Sequence, residues 1–305
     1  MRAFLAAPTL STLAAAWPAL LPRQTACNGN AAYCSRRYSS VSLIGTHDSA
    51  FVGSLIDPTV NQGVGISDQL DAGIRFLQSQ THKDGDTLKM CHTSCDLQDA
   101  GPVADYLATV KTWLDGHPSD VVTILLTNGD NADVSEFGSV LDASGLKDYA
   151  FVPPSSPNAL AYDDWPNLEE MISDNKRLVF FLDYGADTTK VPYILDEFAY
   201  FWETHYDVTD ENFSDCSIDR PPNSSPDGRM SIVNHFLDTE VFGTGVLIPD
   251  NTKDYRTNAA TGAGSIGAQA DLCKRLYDGK TVNVVLVDRF DMGDVFTAQD
   301  ALNGV

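Results

Sequence analysis

Three short stretches of the sequence carry residues whose types and spacing suit proton transfer. Residues 42–49, SLIGTHDS, run from an apolar segment through a glycine into His47 and Asp48. Residues 282–288, VNVVLVD, likewise end an apolar segment on Asp288, and His92 sits between two cysteines in CHTSC, residues 91–95. In α/β proteins reactive groups collect where strands end, at their C-terminal side. An unperturbed imidazole titrates near pH ~6.5, so at mildly acidic pH one histidine can be neutral while the other is charged. Two imidazoles facing one cleft therefore suit a reaction in which one takes a proton and the other gives one. A phosphodiester split by an internal hydroxyl makes that demand, with a base for the attacking hydroxyl and an acid for the leaving alkoxide. Taken alone, SLIGTHDS also reads as a capped turn bearing a hydrogen-bonded surface histidine. A Cys91–Cys95 bridge would fix the position of the His92 ring.

The elements that must position these groups follow from hydrophobic periodicity. Strands are expected at 41–45, 74–79, 121–126, 178–182, 230–237 and 282–287, with 87–90 as the hairpin partner of the second. Between them lie helical patterns at 65–73, 101–116, 134–141, 168–173, 192–202 and 266–277. The helix at 101–116 has Val103, Leu107, Val110 and Leu114 on one face, and 121–126 is the continuous apolar run of a strand covered on both sides. Alternation of this kind predicts an α/β fold, a parallel sheet closed into a distorted or incomplete TIM-type barrel; an open doubly wound sheet is the alternative. Other polar groups at expected strand ends are Gln78, Gln80, Asn128, Asp183, His235 and Asp238. Arg75 lies too early on its strand for the mouth and is expected in a salt bridge beneath the barrel. The GxGxxG match at 262–267 follows no apolar strand, so it reads as a helix start and not as a dinucleotide site.

Composition narrows the compartment and the partners. The first 22 residues combine one basic residue with an uncharged Ala/Leu-rich run, the plan of a secretory signal, and the apolar run is broken by Pro8, Ser11 and Thr12, which makes it a poor membrane span. Residues 1–26 are assigned to the signal and 27–305 to one domain, with no linker dividing them. A secreted, extracellular or cell-surface location agrees with six cysteines, for which the preferred pairing is Cys27–Cys34, Cys91–Cys95 and Cys216–Cys273 among several possible connectivities. Sequons at Asn212 and Asn223 lie in a polar, Pro-rich stretch suited to glycan. With a formal charge of −22 the chain is a poor partner for nucleic acid. A monomer without a stable membrane span is expected.

GTHDS at 45–49, AGIRFLQSQ at 72–80 and the His92 loop about 45 residues after the first histidine together resemble the X-domain of phosphatidylinositol-specific phospholipase C. Most of 27–305 is similar to secreted fungal members of that phosphodiesterase superfamily. The resemblance implies a distorted barrel, His47 as general base, His92 as general acid and a cyclic phosphodiester intermediate or product. It matches Asp48 to the acid that follows the first histidine and Asp288 to the carboxylate that orients it. It implies a small-molecule or lipid-headgroup phosphodiester as substrate; Gln78, Gln80, Asn128 and Asp183, by their places at strand ends, are expected to line its site. The chain departs from the family where the second strand should supply two calcium-binding acids or an arginine, because Gln78 and Gln80 stand there. Calcium, which favours carboxylates, is not expected, and neither is any other metal or cofactor. Since the family's basic headgroup-binding residues also have no match at the strand ends, the alternative is a catalytically altered barrel that binds a neutral or carbohydrate ligand.

Overall fold

The computed structural model describes residues 26–305; the expected signal lies almost wholly outside the described residues. Its strands are β1 (Leu43–Thr46), β2 (Phe76–Asp84), β3 (Thr87–Cys91), β4 (Asp99–Pro102), β5 (Val122–Asn128), β6 (Leu178–Leu182), β7 (Ile194–Asp196), β8 (Phe201–Glu203), β9 (Met230–Asn234), β10 (Asp238–Glu240), β11 (Leu247–Pro249) and β12 (Val284–Val287). Its α-helices are α1 (Ile66–Ala72), α2 (Val103–Gly116), α3 (Val134–Ser144), α4 (Leu168–Ser173), α5 (Glu197–Tyr200), α6 (Asp254–Thr257), α7 (Ile266–Leu276) and α8 (Val295–Asn303). Eight strands form a curled, all-parallel sheet in the order β7-β6-β5-β2-β1-β12-β9-β8. Its free edges, β7 and β8, are neighbours in the chain, joined by the single turn α5. The result is the expected incomplete barrel of the TIM type.

Parity explains how the barrel is filled and where it turns polar. Successive side chains on a strand face opposite sides. Ile44, Leu77, Ile124, Phe180, Val233 and Val285 face out and pack against α2, α3, α7 and α8. Leu43, Phe76, Leu125, Phe181, Ile232 and Leu286 face in, with Tyr38, Trp165 and Tyr200 closing the floor. Continuing in steps of two residues, the inward positions become His47, Gln78 and Gln80, Thr127, Asp183, Asn234 and Asp288. Gly45 is the inward residue below His47, and a Cβ there would lie 2.8 Å from Leu286 and 3.0 Å from Phe76, so the narrow barrel demands glycine at that point.

The helix expected at 192–202 is instead β7, α5 and β8. Asp196 caps a single turn by accepting the Phe198 N–H at 2.9 Å, and the flanking residues pair with β6 and β9. Pairing with distant strands overrode the local helical pattern, as is common for short apolar runs. Arg75 does lie beneath the barrel, in a buried salt bridge to Asp120 at 2.9 Å. At the GxGxxG stretch, a Cβ on Gly264 would strike the Glu211 carbonyl at 2.0 Å and one on Gly267 the Ala260 carbonyl at 2.2 Å. Those glycines serve close backbone packing at the start of α7.

Candidate active site

His47 leaves β1 at the mouth of the barrel, where its backbone N–H donates to the Val287 carbonyl on β12 at 3.0 Å. This register sets its ring beside the end of β12, and Nδ1 lies 2.8 Å from Asp288 Oδ1. Asp288 is held from its other side by Asn61, whose amide donates to both carboxylate oxygens at 3.0 and 3.2 Å. The ring stacks flat on Phe236, with centroids 3.6 Å apart and planes 1° from parallel. Its Nε2 is 3.4 Å from Asp48 Oδ2. Burial opposes the charged imidazolium, yet the carboxylates of Asp48 and Asp288 outweigh that penalty and push the His47 pKa up to about 9.

The His92 loop approaches the same carboxylate from across the cleft. His92 Nε2 is 3.5 Å from Asp48 Oδ2, Nδ1 is 2.8 Å from the Thr59 carbonyl, and the ring stacks on Phe51 at 4.9 Å. With Nδ1–H donated to that carbonyl, Nε2 is the atom that faces the cleft. Asp48 is fully buried, and Gln80 donates to both of its oxygens, from the backbone N–H at 3.0 Å and the side-chain amide at 2.8 Å. The other end of the Gln80 amide accepts the Thr93 N–H at 3.0 Å, and Gln78 accepts the Asp48 N–H at 2.8 Å. The two glutamines thus bind the His47 turn to the His92 loop. Asp48, Thr93 and Arg289 all adopt positive φ, an unfavourable conformation for residues with a Cβ, and such strain concentrates in functional loops.

Two cavities meet at this point and share His47, Gln80, Tyr206 and Phe236. One, of about 340 Å³, descends into the barrel mouth between Gln78, Thr127, Asp183, Glu203, Arg220 and Asn234. Arg220 comes from the long 204–229 loop, bonds Glu203 through Nη2 and lies over the Tyr206 ring at 4.6 Å. Burial and the neighbouring Glu203 hold the Glu197 carboxyl well above the usual range, and burial pushes Asp183 up to about 6. The other cavity, of about 510 Å³, runs from His92 and Thr59 between Leu97, Val246, Ile248 and Pro249 under the β10–β11 hairpin. Asp238 lies there, and burial followed by the Asp288 charge pushes it up to about 7.

The fold therefore gathers His47, His92, Asp48, Asp288, Gln78 and Gln80 at one mouth, with Asp183 on the wall of the first cavity. Asn128 faces away: its amide donates to the Ala132 and Tyr184 carbonyls, because it is one residue out of phase with inward-facing Thr127. His235 is buried, with its ring bonded to Gln269 and the Thr257 carbonyl. Cys27–Cys34, Cys91–Cys95 and Cys216–Cys273 are each bridged, and Asn212 and Asn223 are exposed. Sequence reasoning missed Asn61, Glu203, Arg220, Tyr206, Asn234 and Phe236. For Glu203 and Asn234 the signal was available, since each sits two residues beyond an inward apolar residue. Arg220 has no local signal, because its loop reaches the cavity only through tertiary folding.

Comparison with known proteins agrees with this architecture. The PI-PLC X family model, PI-PLC X 1, matches residues 33–303. A PI-PLC X domain-containing protein 1 from Arthroderma benhamiae is 53% identical over 281 residues, covering 92% of this chain and 90% of that one. A second protein of the same organism, described as an uncharacterized secreted protein, is 41% identical over 88% of this chain and 61% of its own length. Among solved structures, the phosphatidylinositol-specific phospholipase C of Listeria monocytogenes superposes with a TM-score of 0.56 at 16% identity, over 89% of this chain and 95% of that one. The Staphylococcus aureus enzyme, in an F249X mutant, gives 0.53 at 13% identity, over 88% and 94%. Identities this low speak for the fold alone.

Proposed function

The chain belongs to the PI-PLC X family, and from that premise we propose that it is a secreted phosphoric diester hydrolase or lyase of the phospholipase C type that works without calcium. One observation carries the reading: the Nε2 atoms of His47 and His92 lie 3.4 and 3.5 Å from the same Asp48 oxygen. They are therefore no more than about 7 Å apart, a span that a phosphodiester linkage bridges. The neutral form of His47, whose share grows as pH rises toward about 9, keeps Nδ1–H on Asp288 and takes at Nε2 the proton of a hydroxyl neighbouring the phosphodiester as that oxygen forms a bond to phosphorus. The bond from phosphorus to the leaving alkoxide breaks, and His92 Nε2–H protonates the departing oxygen. A cyclic phosphodiester and an alcohol result. Water opens the cycle by the reverse transfers, with His92 as base and His47 as acid.

The two cavities fit the two halves of such a substrate. The hydroxyl-bearing half suits the cavity walled by Asp183, Glu203, Arg220 and Asn234, whose acids and amide accept and donate hydrogen bonds to a polyol. The leaving half suits the cavity next to His92, where Leu97, Val246 and Ile248 offer apolar wall to a lipid alcohol. The donor set does not suit calcium. Gln78 and Gln80 already spend their carbonyl oxygens on backbone N–H groups, which leaves Asp48 as the carboxylate between the histidines. Secretion is supported by the relative described as secreted and by the three disulfides. Among the described residues no helix is long and apolar enough to cross a membrane.

The test is cleavage of phosphatidylinositol vesicles and of a soluble phosphodiester in excess EDTA, with the cyclic product followed by phosphorus NMR. His47→Ala is expected to lose at least about a hundredfold in kcat/KM. Unchanged turnover in that variant refutes the assignment. The neutral amides at Gln78 and Gln80 favour a second reading, a barrel that binds a neutral polyol or carbohydrate without cleaving a phosphodiester. Ligand binding that survives His47→Ala and His92→Ala, in a protein inactive on every phosphodiester tried, would select it.

A further inference from the structure

Around Asp288 and the end of β12, several buried side-chain atoms have no protein hydrogen-bond partner. Arg289 is 4% exposed; its Nη1 donates to the Gly53 carbonyl at 2.9 Å, but Nε and Nη2, the two donors of its side-on fork, meet no acceptor. Asp254, on α6, is 2% exposed, and its Oδ2 receives no donor. Asn251 Oδ1, Thr257 Oγ1, Asn61 Oδ1 and Gln62 Oε1 are buried and unpartnered in the same region. Of the eleven such atoms among the described residues, seven belong to this one shell.

Hydrogen bonds place these residues around the end of β12. The Asn258 amide donates to the carbonyls of Asp288 and Arg289 at 2.8 and 3.1 Å, while its backbone N–H donates to the Asp254 carbonyl at 2.8 Å. Asn251 donates to the Val60 carbonyl at 2.9 Å, and the Arg289 N–H to the Asn61 carbonyl at 2.8 Å. The residues flanking α6 and the 60–62 segment are thereby tied to the backbone of Arg289 and to each other. Buried polar groups are satisfied by protein or by ordered water, and a site with both donors and acceptors has the partners that water needs.

We propose that Asp254 and Arg289 form a buried, water-bridged ion pair beside Asp288, and that Asp254 is thereby a positioning residue for the Asp288–His47 couple. The proposal rests on the assignment of His47 as base. Two carboxylates enclosed together, Asp254 and Asp288, repel each other, and one of them tends to hold a proton. The Arg289 charge offsets that repulsion next to the carboxylate that accepts His47 Nδ1–H. The charged groups facing Asp254 are Asp288, Arg289, Asp250 and Asp291; burial is the largest influence on it and pushes its pKa up to about 8, with Asp288 next, so the pair becomes ionic as pH rises through about 8, the range in which His47 titrates, and Asp254 holds a proton below it.

The test follows the His47 ring by NMR titration of the full-length secreted protein, a readout that needs no substrate. In Asp254→Asn one carboxylate is removed from beside Arg289 and Asp288, and the His47 midpoint is expected to fall by about half a unit to one unit, with the pH limb of kcat/KM moving equally. The neutral pair Asp254→Asn/Arg289→Gln is expected to return the midpoint toward the wild-type value. A folded Asp254→Asn protein whose His47 midpoint stays within about 0.2 units of wild type overturns the proposal. If the single variant does not fold, the double variant must fold with a near-wild-type midpoint, and its failure to do so is equally decisive against it. Loss of activity in His47→Ala bears on the base assignment separately.

Discussion

Replacing Asp288 with asparagine changes one charge and little volume, and the geometry says what should follow. The His47 Nδ1–H donates to Asp288 at 2.8 Å in a buried setting, and a hydrogen bond to a charged group there is worth about 1.5–3 kcal/mol. That corresponds to roughly one to two pKa units, so the His47 midpoint should fall from about 9 to between about 7 and 8, with Asp48 still raising it. A second effect concerns which nitrogen holds the proton. Asn61 already directs its amide donors at both oxygens of residue 288, so the new amide oxygen would turn toward Asn61 and its NH₂ toward Nδ1. The proton of neutral His47 would then sit on Nε2, which could no longer act as a base. The assay pairs NMR titration of the His47 ring with the pH profile of phosphodiester cleavage. kcat/KM should drop by about a hundredfold or more while KM changes little. A His47 midpoint within about half a unit of wild type would refute the claimed coupling.

Other consequences are open to direct measurement. His92→Ala should lose about a hundredfold or more on an alkyl phosphodiester but far less on a nitrophenyl ester, whose leaving oxygen needs no proton; equal losses on both would count against His92 as the acid. Cys91→Ser/Cys95→Ser removes a bridge across a very short loop, so thermal denaturation should show a loss of no more than about 2 kcal/mol, while kcat falls more steeply because His92 is no longer held opposite Asp48. Stability should decline from acid toward alkaline pH. His47 is raised from its ordinary 6.5 to about 9, so the native state holds that proton more tightly; the stabilisation, on the order of 3 kcal/mol, is complete below pH 6.5 and lost as pH rises through about 9. Asp183 at about 6 and Asp238 at about 7 act in the same direction at lower pH, each losing its contribution as pH rises from the carboxylate range through its raised value. A urea midpoint higher at pH 9 than at pH 5 would contradict this sign.

Much of the site was legible because strand geometry is periodic. The apolar runs ending at His47 and Asp288 forecast two strand ends, and the structure makes these strands neighbours, with Thr46 opposite Val287. Period-two alternation also carries the information that separates inward Thr127 from outward Asn128, which is why Asn128 was misplaced when its strand was read as an undivided apolar run. The segment 192–202 was misread because a pattern of apolar residues cannot report that its two halves lie on opposite edges of a sheet.

By itself the sequence determined the alternation of strands and helices, the six cysteines, and the histidines and carboxylates at the strand ends, since each is a local property of residue type and spacing. Only the tertiary structure decided that both imidazoles turn Nε2 toward Asp48, that Gln78 and Gln80 brace that carboxylate, and that Arg220 and Phe236 enter the cleft. These arrangements depend on the register between strands far apart in sequence and on how a long loop folds back over the barrel mouth, and no short stretch of sequence encodes either.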